Sequence, residues 1–447
     1  MKQLMKIIFI IFMVMFTSCS RNEILFKVSD ETPEDRINKW FDKYSMKKRL
    51  GGWYAIDWSE HQYVAYSDGG IGKYVTSVKL PRKLKEIQDD AFNSCYNLTS
   101  IKIPKSVTKI GAYAFCDCDG LTSIEIPESV TEIGNGAFSG CDGLTSIEIP
   151  ESVTEIGDSA FSGCDGLTHI SVDDRNEYYD SRGNCNAIIE SITDCLIFGN
   201  SKTTIPLGVT EIGDSAFSGC DGLTSIEIPE GVTEIGESAF YCCSGLTSIE
   251  IPESVTKIGK SAFYGCSGLT SIEIPEGVTE IRDFTFHHCS GLTSVYIPES
   301  VTEIGMGAFN DCSGLTEIHI PGNVMTIGAG AFRDCSKLEQ VYMDYGTTVI
   351  DNNAFRGCTG LTSIFIPPTV GAIFEDAFRE CYNLSIYFPE RYEKPQIFVY
   401  NKKTEKFRSY IDTDLYEVFK DVKNIYVEQE LESSFRDYFN SSKVIGI

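Results

Sequence analysis

The sequence predicts an α/β repeat solenoid, in which 23-residue coils stack side by side with a parallel β-sheet on one face and short turns and helical turns on the other. Three observations predict it. Proline recurs every 23 residues at Pro81, Pro104, Pro127 and Pro150, then at Pro206, Pro229, Pro252, Pro275, Pro298 and Pro321, with Pro367 two periods later and Asp344 in the missing slot. Cysteine keeps the same interval, from Cys95 to Cys164 and from Cys220 to Cys381. The apolar positions of each unit follow neither a helical nor a strand period throughout, so a single unit cannot bury them and stacking must.

One unit reads Pro127-Glu128-Ser129-Val130-Thr131-Glu132-Ile133-Gly134-Asn135-Gly136-Ala137-Phe138-Ser139-Gly140-Cys141-Asp142-Gly143-Leu144-Thr145-Ser146-Ile147-Glu148-Ile149. Alternation at Ile124 and Ile126 marks a short strand, which Pro127 ends because it has no N–H to donate to a continuing ladder. Val130 to Gly134 reads as a turn or a second short extended stretch, and Ala137-Phe138 suits a helical turn on the opposite side. Twelve units run over residues 75–388, the last one residue short. The step from Pro150 to Pro206 is 56 residues, one period plus an insertion of 33.

The cysteines follow from the same copying. Twelve of the 17 occupy one slot, three residues before the strand-opening Leu, where a thiol serves as a small buried hydrophobe. One Cys per coil in a row offers no tetrahedron for zinc, and parallel side chains about 5 Å apart point the same way rather than at each other. Unpaired buried thiols are therefore expected. His287-His288-Cys289 and Cys242-Cys243 are the periodic slot with variable neighbours, and no metal or cofactor site is expected. Cys185 and Cys195 leave a bridge within the insertion open.

Leu-x-x-Ile-x-Ile, Ile-Pro, Val-x-x-Ile-Gly and Ala-Phe-x-x-Cys-x-x-Leu at this period resemble the BspA-like, or Treponema pallidum type, leucine-rich repeat surface proteins, including their Bacteroides members. The resemblance implies a leucine-rich repeat horseshoe with its sheet on the concave face. The insertion, residues 173–203, looks like the β-hairpin insert of that family, structural in the first instance, with a binding protrusion as the other option. The Asn of common leucine-rich repeats is here Ser129, Ser152, Gly208, Gly231 or Ser254, with Asn323 the exception, so an asparagine ladder does not close the turn.

At the N-terminus, Lys2 and Lys6 precede ten apolar residues, Ile7 to Phe16, too short to span a bilayer but suited to an export signal over residues 1–18. Phe16-Thr17-Ser18-Cys19 resembles a bacterial lipobox, which makes Cys19 the lipidated residue and the lipid the one membrane contact. Ser20, which is not Asp, favours the outer membrane and the cell surface. Residues 19–74 are read as a tether and cap, with a helix starting at Thr32-Pro33 and stopping at Gly51-Gly52, and the sheet beginning at Val75. Residues 389–447 are read as a C-terminal cap: a hairpin from Gln396 to Tyr410, a strand at Ile425-Tyr426-Val427, and an amphipathic helix with Leu431, Phe435, Tyr438 and Phe439 inward.

Function is approached by exclusion. The formal charge of 38 − 64 = −26 repels phosphate and disfavours nucleic acid or a bare anionic membrane as the main partner. No P-loop, His-Glu-x-x-His or Gly-x-Ser-x-Gly stands apart from the repeat, and carboxylate pairs are periodic, so a non-enzymatic binding protein is expected.

The solvent-facing strand column carries the specific information. It reads Lys79, Lys102, Glu125, Glu148, Ser171, Glu227, Glu250, Glu273, Tyr296, His319, Tyr342 and Phe365, beside a Ser-rich column broken by His169, Glu317 and Gln340. Tyr296, His319, Tyr342 and Phe365, with Glu317 and Gln340, are the candidate ligand site. Aromatics exposed on a sheet favour protein or glycan contacts, though stacking that stabilises the sheet, or cover by the C-terminal segment, would place the same residues. The family resemblance implies adhesion to host extracellular-matrix or plasma proteins or to other bacterial surfaces, with a glycan- or nutrient-binding lipoprotein as the alternative.

Overall fold

The computed structural model describes residues 74–388 continuously, together with the strands Glu23–Val28, Lys47–Lys48, Tyr54–Asp57, Gln396–Asn401 and Lys406–Ser409 and residues 419, 421–427 and 444–446. The export segment, Cys19, the helix expected from Thr32-Pro33 and the one expected around Leu431 lie outside the described residues. The chain divides into two compact units, residues 1–192 and 193–447.

In the first unit the sheet begins earlier than Val75. Glu23–Val28 pairs antiparallel with Val75–Lys79 on one side and with Tyr54–Asp57 on the other, and Lys47–Lys48 follows. These strands cover the edge that the first coil would otherwise leave unpaired. Val75–Lys79 then pairs in parallel with Ser100–Lys102, and Ser146–Ile149 with His169–Val172. A second parallel ladder joins Glu86–Ile87, Lys109–Ile110, Glu132–Ile133 and Glu155–Ile156, so the stretch after each proline is a true short strand.

The second unit repeats both ladders. One runs through Glu317–Ile320, Gln340–Met343, Ser363–Phe365, Ser385–Tyr387, Asn424–Val427 and Val444–Gly446. The other runs from Glu280–Ile281 to Ala372–Phe374, then Gln396–Asn401, which turns back antiparallel into Lys406–Ser409 as the expected hairpin.

The Ala-Phe segment is not helical: no coil between residues 75 and 388 carries an α-helix. Its backbone alternates instead. Gly136 and Gly140 have φ of 58° and 71°, and the same two slots of every coil are left-handed, down to Asp376 and Glu380. N–H groups therefore point alternately along the chain and across it: Ala137 and Ser139 bond back three residues to Gly134 and Gly136, while Phe138 and Gly140 reach the carbonyls of Ala160 and Ser162 in the next coil at 2.7 and 2.8 Å. A helix would have left these inter-coil bonds unmade.

Inside, one phenylalanine per coil is buried. Phe92, Phe115, Phe138 and Phe161 stack with centroids 5.2–5.4 Å apart, and Phe217 to Phe378 form a second row at 5.1–5.6 Å. Each such side chain contributes roughly 2–3 kcal/mol by burial alone. Among the described residues no cysteine forms a disulfide, and Cys185 and Cys195 are not bridged to each other. The slot thiol donates to the carbonyl of the phenylalanine 26 residues earlier, Cys118 to Phe92 and Cys358 to Phe332 at 3.2 and 3.1 Å. Hydroxyls stand in for the asparagine ladder. Ser129 and Ser152 donate to the Val107 and Val130 carbonyls at 2.7 Å, and Ser254 and Ser300 do the same in the second unit.

The insertion forms a hairpin, Tyr179–Asp180 against Ala187–Glu190. Its asparagines tie it down: Asn186 accepts from the Ile170 N–H and donates to the Thr168 carbonyl at 2.9 and 3.0 Å.

Candidate binding face

The sequence-derived site lies in the second unit. Each of its residues alternates with a buried neighbour: Ile318, Ile320, Val341, Met343 and Ile364 point inward, so Glu317, His319, Gln340, Tyr342 and Phe365 must point out. Register brings five of the six together. Glu317 and His319 stand opposite Gln340 and Tyr342, and Gln340 stands opposite Ser363, two residues before Phe365. Tyr296 belongs to a separate two-stranded ladder, opposite Glu273, and its hydroxyl donates to Glu276 at 3.1 Å. That bond to a carboxylate raises the Tyr296 phenol above its usual range.

The aromatic column continues where the sequence reading stopped. Phe365 stands opposite Tyr387, and Tyr387 opposite Tyr426, their rings stacked 4.6 Å apart. Tyr387 was obscured because its unit is one residue short, and Tyr426 because it follows a break in the repeat. Tyr296 and Tyr342 are each 52% exposed and Phe365 39%, so stacking has not consumed the surface.

The rim of this face changes with it. The slot after proline holds Glu230, Glu253, Glu276 and Glu299, then Gly322, Tyr345 and Pro368. Gly346 is required sterically: a Cβ there would lie 1.6 Å from the Gly322 carbonyl oxygen. Asp344, in the proline slot, sets its carboxylate 2.9 Å from His319 Nε2, and Tyr345 beside it is 65% exposed. Tyr342 donates its hydroxyl to Gln340. The face thus offers ring surface, an amide, an imidazole and the carboxylates of Glu317 and Asp344, the latter hydrogen-bonded to His319.

The turn side explains the two motifs that imitate chemistry. Cys242 and His288 both occupy a left-handed slot, and Cys243 and Cys289 the thiol slot. His287 and His288 stack 4.1 Å apart with planes 21° from parallel, so their ring nitrogens do not converge, and among the described residues no cluster suits a metal ion.

Residues 72–187, 199–315 and 279–405 match the BspA-type leucine-rich repeat region. The chain belongs to this BspA-type leucine-rich repeat family. Among solved structures it is similar to a leucine-rich repeat protein from Bacteroides ovatus, at 28% identity over 90% of each chain with a TM-score of 0.56. It shares its fold with a leucine-rich repeat protein from Eubacterium ventriosum, at 23% identity over 72% of this chain and 85% of that one, with a TM-score of 0.52. No curated protein matches the sequence. Proteins of this BspA-type repeat class generally act through protein–protein interaction and are typically non-enzymatic.

Proposed function

We propose that this BspA-type protein is a non-enzymatic, surface-exposed lipoprotein, anchored through Cys19 in the outer membrane, that adheres to a protein of the host matrix or plasma or of another bacterial surface. The site is the aromatic segment from Tyr296 to Phe365, with Glu317 and Gln340, lengthened by Tyr387 and Tyr426.

One observation carries the reading. The strand column exchanges Glu for aromatics at Tyr296, and the rim exchanges Glu for Gly322, Tyr345 and Pro368 from the next coil on. Two columns that the core does not constrain lose charge over the same coils, which a random drift of surface residues does not favour. Stabilisation of the sheet alone would account for the column and not for the rim. Surface rich in tyrosine and poorer in carboxylates than the preceding coils, bordered by Glu299 and Glu276, has the composition of a protein-contact patch with a polar border.

The test has two arms. Protease shaving of intact cells should remove the protein from the surface. Purified protein should bind an immobilised matrix or plasma protein, and replacing Tyr296, His319, Tyr342 and Phe365 with Ala should abolish that binding while the circular dichroism spectrum is kept. Binding to a glycan array instead, lost in the same variant, would move the reading to a glycan receptor. Unchanged binding in the variant would refute the site.

A further inference from the structure

The first two coils depart from the repeat in the opposite direction. Between Lys79 and Lys109 the chain carries seven cations, Lys79, Arg82, Lys83, Lys85, Lys102, Lys105 and Lys109, against three acids, Glu86, Asp89 and Asp90. In a protein of charge −26 this is a local excess of four positive charges.

The cations are not scattered. Lys79 and Lys102 fill the strand column that holds Glu125 and Glu148 in the next two coils, and Arg82 and Lys105 fill the rim slot that then holds Glu128 and Glu151. Lys79 and Lys102 stand directly opposite each other, so two cationic residues share one face of adjacent strands. Lys27 sits opposite Ser77, two residues before Lys79.

The three acids are occupied on the turn side. Glu86 stands opposite Lys109, which also pairs with Glu132; Asp89 accepts the Ala112 N–H at 2.8 Å; Asp90 accepts from the Asn93 amide. Arg82, Lys102 and Lys105 are exposed and make no ion pair among the described residues.

We propose that this strand face binds a sulfated oligosaccharide. The cations meet the sulfates at the coil spacing of about 4.8 Å, with the exposed Ser100 hydroxyl beside them. From Lys105 a concavity of about 600 Å³ leads into the next coils, lined by Ser129, Ser146, Glu125, Glu148 and His169. Carboxylates and hydroxyls there accept and donate to sugar hydroxyls, and the volume suits a small saccharide. The abrupt change from Lys to Glu on one face is the discriminating feature. An anionic membrane is a continuous plane and would press charge onto Glu125, Glu128, Glu148 and Glu151, whereas an oligosaccharide places sulfates at one end and neutral hydroxyls at the other.

The experiment uses the mature full-length protein and three probes: heparin-derived hexasaccharide, its chemically desulfated counterpart, and phosphatidylglycerol vesicles. Calorimetry at 50 mM salt should detect the sulfated hexasaccharide and neither of the others. The variant Arg82→Glu, Lys102→Glu, Lys105→Glu should bind at least about tenfold more weakly, as the loss of three exposed ion pairs dictates. A variant of equal charge change elsewhere, Lys257→Glu, Lys260→Glu, Lys337→Glu, should bind as the parent does. If reversal impairs folding, the Gln versions of the same three positions carry the test. Absence of hexasaccharide binding, equal loss in both variants, or preference for vesicles would each overturn the proposal.

Discussion

The thiol of Cys266 donates to the carbonyl oxygen of Phe240, 26 residues earlier and one coil away, at 3.1 Å. That carbonyl already accepts the Cys243 N–H at 3.2 Å, so sulfur takes its second lone pair. The bond explains why a thiol is copied through the whole array: the slot needs an apolar volume about the size of two heavy atoms and a weak donor aimed at the neighbouring coil.

Replacing Cys266 with Ala should cost about 1–2 kcal/mol, mostly from the cavity, because the Phe240 carbonyl keeps its other partner. A fall in the urea midpoint with an unchanged slope is the expected measurement. Burial pushes the Cys289 and Cys381 thiols up to about 12, so native protein at pH 8 should leave these two cysteines unreactive toward a thiol reagent. Denaturation without reductant should release them; if almost no free thiol then reacts, the ladder reading fails.

The path of the chain was legible because each slot is repeated twelve times: Pro150 ends the strand Ser146–Ile149, Phe138 and Cys141 fill the core, and Ile147 faces inward while Glu148 faces out, although Ile124 to Ile126, before Pro127, does not pair as the strand expected there. The Ala-Phe turn was not, because helix and alternating turn both bury two adjacent residues. The signal that separates them is the small or turn-forming residue just before Ala and just before Cys, Gly136 and Gly140 or Ser159 and Gly163, which marks positive φ. The outward orientation of Tyr296, Glu317, His319, Gln340, Tyr342 and Phe365 was legible from strand alternation. The rim was not, because its Glu was read as part of a periodic charge rather than as a column that stops at Glu299.

Left-handed slots filled by residues with a Cβ are strained, at about 1 kcal/mol each for an unbranched side chain. Ser238, with φ of 56°, should therefore be stabilised by that amount on Ser238→Gly. Gly265 is the converse case. Its φ is 72° and a Cβ there would meet the Cys242 sulfur at 3.0 Å, so Gly265→Val should cost at least about 2 kcal/mol. Thermal unfolding of the two single variants checks both signs, and a stable Gly265→Val protein would contradict the assigned backbone.

His287 lies against His288, with Tyr264 edge-on at 4.7 Å and Phe284 at 5.7 Å. Burial, then the neighbouring His288, lower its pKa to about 4, while Asp311 acts in the opposite sense. In the unfolded chain it titrates near 6.5. Between those values the unfolded state binds a proton that the folded state does not, so stability should fall as pH drops from about 6.5 to about 4. Above that window it should be flat in this residue. Asn310 fills the same slot one coil later, so His287→Asn should fold and show a shallower acid slope; an identical slope would assign the acid loss to other groups.

Asn176 anchors the insertion with all four of its bonds. Its amide donates to the Pro150 and Val153 carbonyls at 2.8 and 2.9 Å, and its carbonyl accepts the Tyr178 and Tyr179 N–H groups at 2.8 and 2.9 Å. The Tyr179 hydroxyl then accepts the Ile156 N–H at 3.0 Å, which carries the hairpin onto the repeat ladder. Asn176→Ala removes a partner from four backbone groups, of which the Pro150 carbonyl keeps the Val153 N–H; the others cost about 1–3 kcal/mol each when buried and unsatisfied, so the hairpin should open locally rather than bear the whole penalty. Asn176→Asp should be as damaging, since a carboxylate would face two carbonyl oxygens. Hydrogen exchange is the measurement: the amides of Tyr178, Tyr179 and Ala187–Glu190 should lose protection in both variants, while those of the coils around Phe92 and Phe115 keep theirs. Retained protection at Tyr179 would mean that the hairpin is held by its own strand pairing and that Asn176 is dispensable.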